Sequence, residues 1–357
     1  MKENPGRRPF SYWFIFCVQK SVFIAMNGTD RFGYYQLSVH PNQMNLSYVP
    51  DSRRRYRPPE GYTPDQFKDN RHKGVVSQVA GKKITRAIDY LVYLAQPKRL
   101  PYTQAGKGLK FYLSFITVTL SSDQIHSDAD IMLHCFSPLL NSLRQKWGCH
   151  NYLWRAERQA NGRIHYHIIA DKFIPWNELR NVWNRHQEAL GYVSRYRSER
   201  KLWHRDGFRF RSDLAGTWPR AEQIKAYKEG TRTDWHSPNS SDIHSLRFIG
   251  NVRAYFKKYL TKNGQNSNIA GRLWGCSSNL SNIPGARIMV WSRIEDEFKR
   301  IKADRRHSVY QSDYFTCIFF TVQDLERLKC FTILETWYAF IQDTFPDARP
   351  RDLFSFC

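Results

Sequence analysis

The stretch from Asn151 to Ala170 constrains the fold of this chain more than any other. Ile164-His165-Tyr166-His167-Ile168-Ile169-Ala170 alternates as a strand does. Asn151 to Arg158 reads as a second strand, and Gln159-Ala160-Asn161-Gly162-Arg163 lies between the two. Asn-Gly is a strong hairpin signal, so the strands are expected to pair antiparallel. Residues i and i+2 of a strand share a face, about 6–7 Å apart, which lets His165 and His167 hold one ion together. Loop length decides whether a third group joins them. A three-residue loop, Ala160-Asn161-Gly162 with Gly162 left-handed, sets Glu157 directly opposite His165, about 5 Å away on the same face. A two-residue turn would instead set Arg158 opposite His165 and send Glu157 to the other face. Gly162 favours the first register, and Glu157, His165 and His167 then form a candidate metal site of two nitrogens and one carboxylate.

The 357 residues can bury a sizeable core, and 41% hydrophobic with 15% aromatic content describes a folded protein. Lys and Arg number 55 against 32 Asp and Glu, a net charge of +23. That excess, interleaved with Trp, Tyr and Phe, points to a polyanionic partner, with nucleic acid foremost; the plainer alternative is a basic solvated surface. Seven cysteines without C-x-x-C pairing or framework spacing read as reduced thiols of a cytoplasmic protein. No apolar run is long enough to span a bilayer, so no membrane role is expected. Phe10 to Met26 is an apolar run with basic residues before it. It reads as a buried strand or as an extension upstream of a start at Met26, with Gln19 and Lys20 arguing against a signal peptide.

Three regions are expected: a basic, irregular lead-in over 1–105, a main domain over 106–290, and a mixed helix and strand region over 291–357. Ser52-Arg53-Arg54-Arg55-Tyr56-Arg57-Pro58-Pro59 reads as a surface loop or phosphate-contacting arm, and Ile84 to Ala95 as a helix whose stripe is for packing. Leu109 to Leu120 reads as one central strand. Ser121-Ser122-Asp123 follows as a turn and N-cap candidate, and Asp130 to Trp147 and Pro175 to Leu190 read as helices over one sheet face. From about 191 to 240 the composition turns to Arg, Lys, Trp and Gly with weak periodicity. This is read as an insertion carrying DNA contacts, in which Trp203, Trp218 and Trp235 are stacking platforms or ordinary packing. Gly271 to Gly275 is expected to be a turn and short strand, Ile288 to Ala303 and Val322 to Phe345 helices, and Tyr314 to Thr321 a strand. The fold class is therefore α+β, a central antiparallel sheet of about four or five strands with packed helices.

Arg247 to Asn263 is the second informative stretch. At 100° per residue Ile249, Val252, Phe256 and Leu260 form a buried stripe. Tyr255 and Tyr259 fall on its flank one turn apart, with Lys258 and Lys262 just beyond. Tyrosines so spaced commonly serve packing; the duplicated Tyr-x-x-Lys on a basic helix gives them a chemical alternative. Asp242 and His244 are further candidates, with a hydrogen-bonded structural role for the histidine standing beside a functional one.

In this order, Phe115-Ile116-Thr117-Val118-Thr119-Leu120, His165-Tyr166-His167 and Tyr255-Phe256-Lys257-Lys258-Tyr259-Leu260-Thr261-Lys262 resemble the three motifs of two-tyrosine HUH rolling-circle replication initiators, the Rep proteins of bacterial plasmids and small single-stranded-DNA phages. The resemblance covers roughly residues 109–280. Pro238 to Ser245 and Gly271 to Cys276 also look like segments of such proteins. The resemblance implies an RRM-like nicking domain with the histidine strand at the sheet centre. Its implied ion is Mg²⁺ or Mn²⁺, held by His165, His167 and Glu157, and its implied nucleophiles are Tyr255 and Tyr259, assisted by Lys258 and Lys262. The implied partners are single-stranded DNA at a replication origin, a host polymerase extending the 3′-OH, and a host helicase, since no Walker A pattern is present. Three other readings share these residues: a two-tyrosine transposase of the same superfamily, a single-tyrosine enzyme, and a non-catalytic DNA-binding protein.

Overall fold

A computed structural model describes residues 33–50, 76–95, 98–100, 109–246, 269–281, 283–312 and 315–346. The basic arm at 52–59, the apolar run at 10–26 and the tyrosine stretch at 247–263 lie outside the described residues. The chain divides into two units, 1–57 with 285–339 and 58–284 with 340–357. Both contain antiparallel sheets with helices, so the α+β class holds.

In the first unit β1 (Gly33–His40) and β2 (Gln43–Pro50) form a hairpin. This hairpin, inside the lead-in read as irregular, pairs with strands from the far end of the chain. In the second unit α1 (Gln78–Leu94) starts at Ser77, whose Oγ accepts a hydrogen bond from Ala80 N, and buries Ile84, Ala87, Ile88 and Leu91. β3 (Lys98–Leu100) pairs with β4 (Leu109–Phe111), and β5 (Leu113–Thr119) follows. The single strand expected over 109–120 is thus broken at Tyr112, because its two halves join different sheets.

α2 comprises Asp128–Ile131, a π segment Met132–Phe136 and Ser137–Gln145. Its N-cap is Ser127, not the expected 121–123 turn; Ser127 Oγ accepts from Asp130 N at 3.1 Å. Pro138 cannot donate into a helical ladder, and the π segment sits immediately before it, where the ladder shifts.

β6 (Tyr152–Arg158) and β7 (Ile164–Ala170) form the expected hairpin, followed by α3 (Trp176–Glu188). The insertion is helical: α4 (Tyr192–Trp203) and α5 (Arg220–Arg232) enclose a small aromatic cluster of His204, Phe208, Tyr227 and Trp235. Apart from Tyr192 and Val193 at the start of α4, the two helices bury few apolar residues, which leaves little apolar periodicity to read. Trp235 is packed against Gly230, where a Cβ would collide with its ring, while Arg209 and Arg211 lie over Trp203. β8 (Ser241–Leu246) and β9 (Trp274–Cys276) complete a five-stranded sheet in the order β8-β5-β7-β6-β9, with β7 at its centre.

One face of this sheet is the core of the unit. Ile116, Val118, Trp154, Tyr166 and Ile168 pack with Ile131, Phe136, Leu139 and Leu143 of α2 and with Leu179, Val182 and Trp183 of α3. Burying side chains of this size contributes roughly 1.5–3 kcal/mol each. A buried polar lock ties α3 to two strand ends. Gln187 Oε1 accepts from Ser121 N and its Nε2 donates to Asn184 and Ser240, while Asn184 Nδ2 donates to Pro238 O.

The rest of the first unit runs from β10 (Ala286–Met289) through α6 (Ser292–Ala303), β11 (Ser308–Gln311), β12 (Phe315–Phe319) and α7 (Val322–Arg327) into α8 (Phe331–Thr344), whose residues from Phe340 on belong to the second unit. Its sheet order is β10-β1-β2-β12-β11. Residues 288–289 therefore belong to a strand, not to the expected helix over 288–303. The helix expected over 322–345 breaks at Lys329, where φ is 53°. Buried Glu297 accepts from Thr332 N and Ile333 N, both at 3.0 Å, and so caps α8. Among the described residues no helix is long and apolar enough to cross a membrane.

Candidate metal centre

The hairpin loop decides the site. Gln159 N donates to Arg163 O and Gly162 N to Gln159 O, which leaves Ala160-Asn161-Gly162 as a three-residue loop with Gly162 at φ 81°. Glu157 therefore stands opposite His165 and Arg155 opposite His167. The other parity is fixed as firmly. Arg158 points away from the histidines to buried Asp128 at 2.7 Å, and Asp128 also accepts from Gln124 and from Ala270 N. In the two-residue register that carboxylate would lose its cation.

Glu157, His165 and His167 each offer a ligand atom within 4.8 Å of the others. Glu157 Oε2 lies 3.7 Å from His165 Nε2 and 3.6 Å from His167 Nε2. Its other oxygen, Oε1, faces Arg155 Nε at 3.4 Å. Burial pushes the Glu157 carboxyl pKa up, but the two imidazoles and Arg155 outweigh it and hold the group well below the usual carboxylate range. It is a carboxylate at neutral pH.

The histidines are set from the neighbouring strand. Thr117 faces His167 across the β5–β7 ladder, and its Oγ1 lies 3.0 Å from His167 Nδ1. A proton on Nδ1, donated to Thr117, leaves Nε2 with its lone pair toward the cluster. Phe115 stacks on the same ring at 5.2 Å. Neither ring nitrogen of His165 has a hydrogen-bond partner although both are buried. Each such orphaned atom costs about 1–3 kcal/mol, and a cation bound at one of the two nitrogens would relieve that one. Two nitrogens and one carboxylate oxygen suit a divalent ion.

Sequence reasoning passed over Arg155 and Thr117, which complete the surroundings of the cluster. Their signal was parity: Arg155 is two residues from Glu157, and Thr117 sits on the same alternation of β5. Asp242 and His244 of β8 lie on this face as well, with His244 Nε2 2.6 Å from Asp242 Oδ2. Tyr255, Lys258, Tyr259 and Lys262 lie outside the described residues.

Over residues 113–264 the chain matches the model of a family of replication-associated proteins, the ORF2 type. The matched stretch is less than half of the chain; it contains β5 to β8, the three candidate ligands and both tyrosines. No curated protein and no solved structure matches the chain.

Proposed function

We propose that this chain is a replication-associated protein that nicks and rejoins single-stranded DNA at a replication origin, starting rolling-circle synthesis from the 3′-OH it releases. The observation that carries the reading is the cluster of His165 and His167 on the central strand with Glu157 on its neighbour, inside the stretch that matches the replication-associated family. The net charge of +23 supports a polyanionic substrate.

The chemistry is phosphoryl transfer to a phenol. Oη of Tyr255 or Tyr259 attacks the scissile phosphate, the bond to the 3′ oxygen breaks, and a 5′-phosphotyrosyl link holds the energy for rejoining. Glu157, His165 and His167 would hold Mg²⁺ or Mn²⁺, which supplies Lewis-acid charge for the phosphate oxygens. Arg155 holds one Glu157 oxygen and Thr117 holds the His167 ring, so the donors are oriented before DNA arrives. Lys258 and Lys262 add positive charge where phenolate and phosphate carry negative charge. A second tyrosine one helical turn from the first can cut a regenerated junction while the first remains joined to DNA.

The test uses a 3′-labelled single strand containing the origin of the replicon that encodes the chain. With Mn²⁺ the expected product is a labelled protein adduct and a free 3′-OH fragment. Chelation and the Tyr255→Phe, Tyr259→Phe double variant should both abolish the adduct. A double variant that nicks as fast as the wild type would overturn the mechanism. Mapping the DNA-linked peptide in each single variant identifies the attacking residue.

A further inference from the structure

A phenol with a pKa near 10 must give up a proton to attack at neutral pH, and the groups able to take it can be counted on the metal-bearing face. The described strands present there Glu157, His165, His167, Arg155, Cys276, Asp242 and His244 as their ionisable side chains. The first three direct their lone pairs into the ion site. Arg155 is a permanent cation, 7% exposed beside Glu157. Burial pushes the Cys276 thiol up and keeps it protonated. Asp242 and His244 remain.

Their geometry suits the task. His244 Nε2 is 2.6 Å from Asp242 Oδ2, which leaves Nδ1 to face solvent or substrate. The His244 side chain is 65% exposed on an edge strand, so the pair does not pack a core. In the ladder Asp242 stands beside Thr117, and Thr117 beside His167, while His244 stands beside Phe115, whose ring stacks on His167. Two strand spacings put the pair about 10 Å across the sheet from the ligand histidines, with Thr117 and Phe115 as the floor between. Among the described side chains, β5 and β4 bring no other ionisable group to it. α3 lies on the opposite face, by Ile243; of its charged groups Glu178 bonds to Trp147, Arg180 to Asn239, His186 to Ser142 and Glu188 to Ser194, and Arg185 lines a hollow with Glu188 and His236.

We propose that His244, oriented by Asp242, is the general base that takes the tyrosine proton during strand cleavage. The proposal rests on the nicking reading above and adds a catalytic residue to it. As Oη bonds to phosphorus, the phenolic proton passes to Nδ1. The phosphorus–O3′ bond breaks with its electron pair on O3′, which takes a proton from water, and the exposed imidazolium returns its proton to solvent. In rejoining, the imidazolium protonates the departing phenolate while the 3′-OH attacks and loses its proton to water.

The experiment is single-turnover nicking of origin single strands by the full chain with Mn²⁺, across pH, for wild type, His244→Gln, His244→Ala and Asp242→Asn. Both residues are exposed, so the variants should fold. His244→Gln is expected to slow cleavage about 100-fold, flatten the acidic limb of the pH profile, and leave Mn²⁺ and DNA affinity unchanged. Asp242→Asn should act in the same direction more weakly, and added imidazole should restore part of the His244→Ala rate. A His244→Gln chain that matches an active wild type at every pH overturns this proposal alone. So does a variant slowed only through lost DNA affinity. A wild type that neither nicks nor forms an adduct overturns the nicking reading and this proposal with it.

Discussion

The chain builds two five-stranded antiparallel sheets, and they differ less in architecture than in what alternates with their buried positions. In β1, β2, β10 and β12, residues out of phase with Leu37, Val39, Ile288 and Ile318 include Gln36, Ser38, His40, Asn45, Ser47, Arg287, Phe315, Cys317 and Phe319. In β5 to β8 the corresponding positions hold Thr117, Arg155, Glu157, His165, His167, Asp242 and His244. Among the described residues these positions gather no group of three potential metal ligands. Imidazoles and a carboxylate crowded within 4.8 Å leave lone pairs that only a cation or a proton can fill. Among the described residues the same frame carries a candidate ion site in one unit and none in the other, so function must be argued from the site.

The strongest way to break that contrast is to remove the ligands. His165→Ala with His167→Ala should abolish stoichiometric Mn²⁺ binding in calorimetry and slow nicking by about 10³-fold, roughly 4 kcal/mol of barrier. Asn45→Ala with Ser47→Ala, the matching change in the other sheet, should alter neither. Retained ion binding in the histidine variant would refute the assignment of the site.

Next in size is the buried ion pair behind the hairpin. Asp128→Ala removes the carboxylate from Arg158 and the acceptor from Gln124 and Ala270 N, and should destabilise by about 3 kcal/mol in a denaturant titration. Thr117→Val should keep the fold but weaken Mn²⁺ binding about tenfold, because the His167 ring loses its partner. An unchanged affinity would mean that Phe115 alone orients the ring. Gly162→Ala meets no atom within 4 Å, so it should cost only the backbone penalty of its φ, about 1 kcal/mol. The β1–β2 hairpin turns on Pro41-Asn42 without a left-handed residue, and Asn42→Ala there should cost less. At the small end, Lys299→Ala breaks the exposed Lys299–Glu295 pair and should leave the unfolding midpoint unmoved.

How much of this was legible in the sequence follows from how local each signal is. The grouping of Glu157, His165 and His167 was legible because a hairpin places these residues within ten positions of one another and Gly162 selects the loop. The α+β class and the long helices were legible from apolar spacing. The β1–β2 hairpin was not, since its loop carries no Gly and its partners β10 and β12 lie more than two hundred residues away. The break at Tyr112 was hidden because both halves are β-prone, and pairing alone separates them. Arg155 belongs to no motif, and Thr117 lies in a motif of ordinary β residues that names no role for it. Their roles come from ladder register, which single-strand patterns do not specify.

Asp128 has one more consequence. It accepts from Ala270 N at 2.9 Å, and Ile269 beside it is buried, so the chain rejoins the sheet there; at the other end Leu246 O accepts from Tyr112 N at 3.0 Å. The stretch carrying Tyr255 and Tyr259 is thereby moored at both ends to the body that holds the ligands. Under the proposed chemistry a phenol meets the ion site as a tethered reactant, at an effective concentration set by chain length and not by diffusion. On the same proposal, a covalently captured 5′ end would stay on that tether until a 3′-OH returns to claim it.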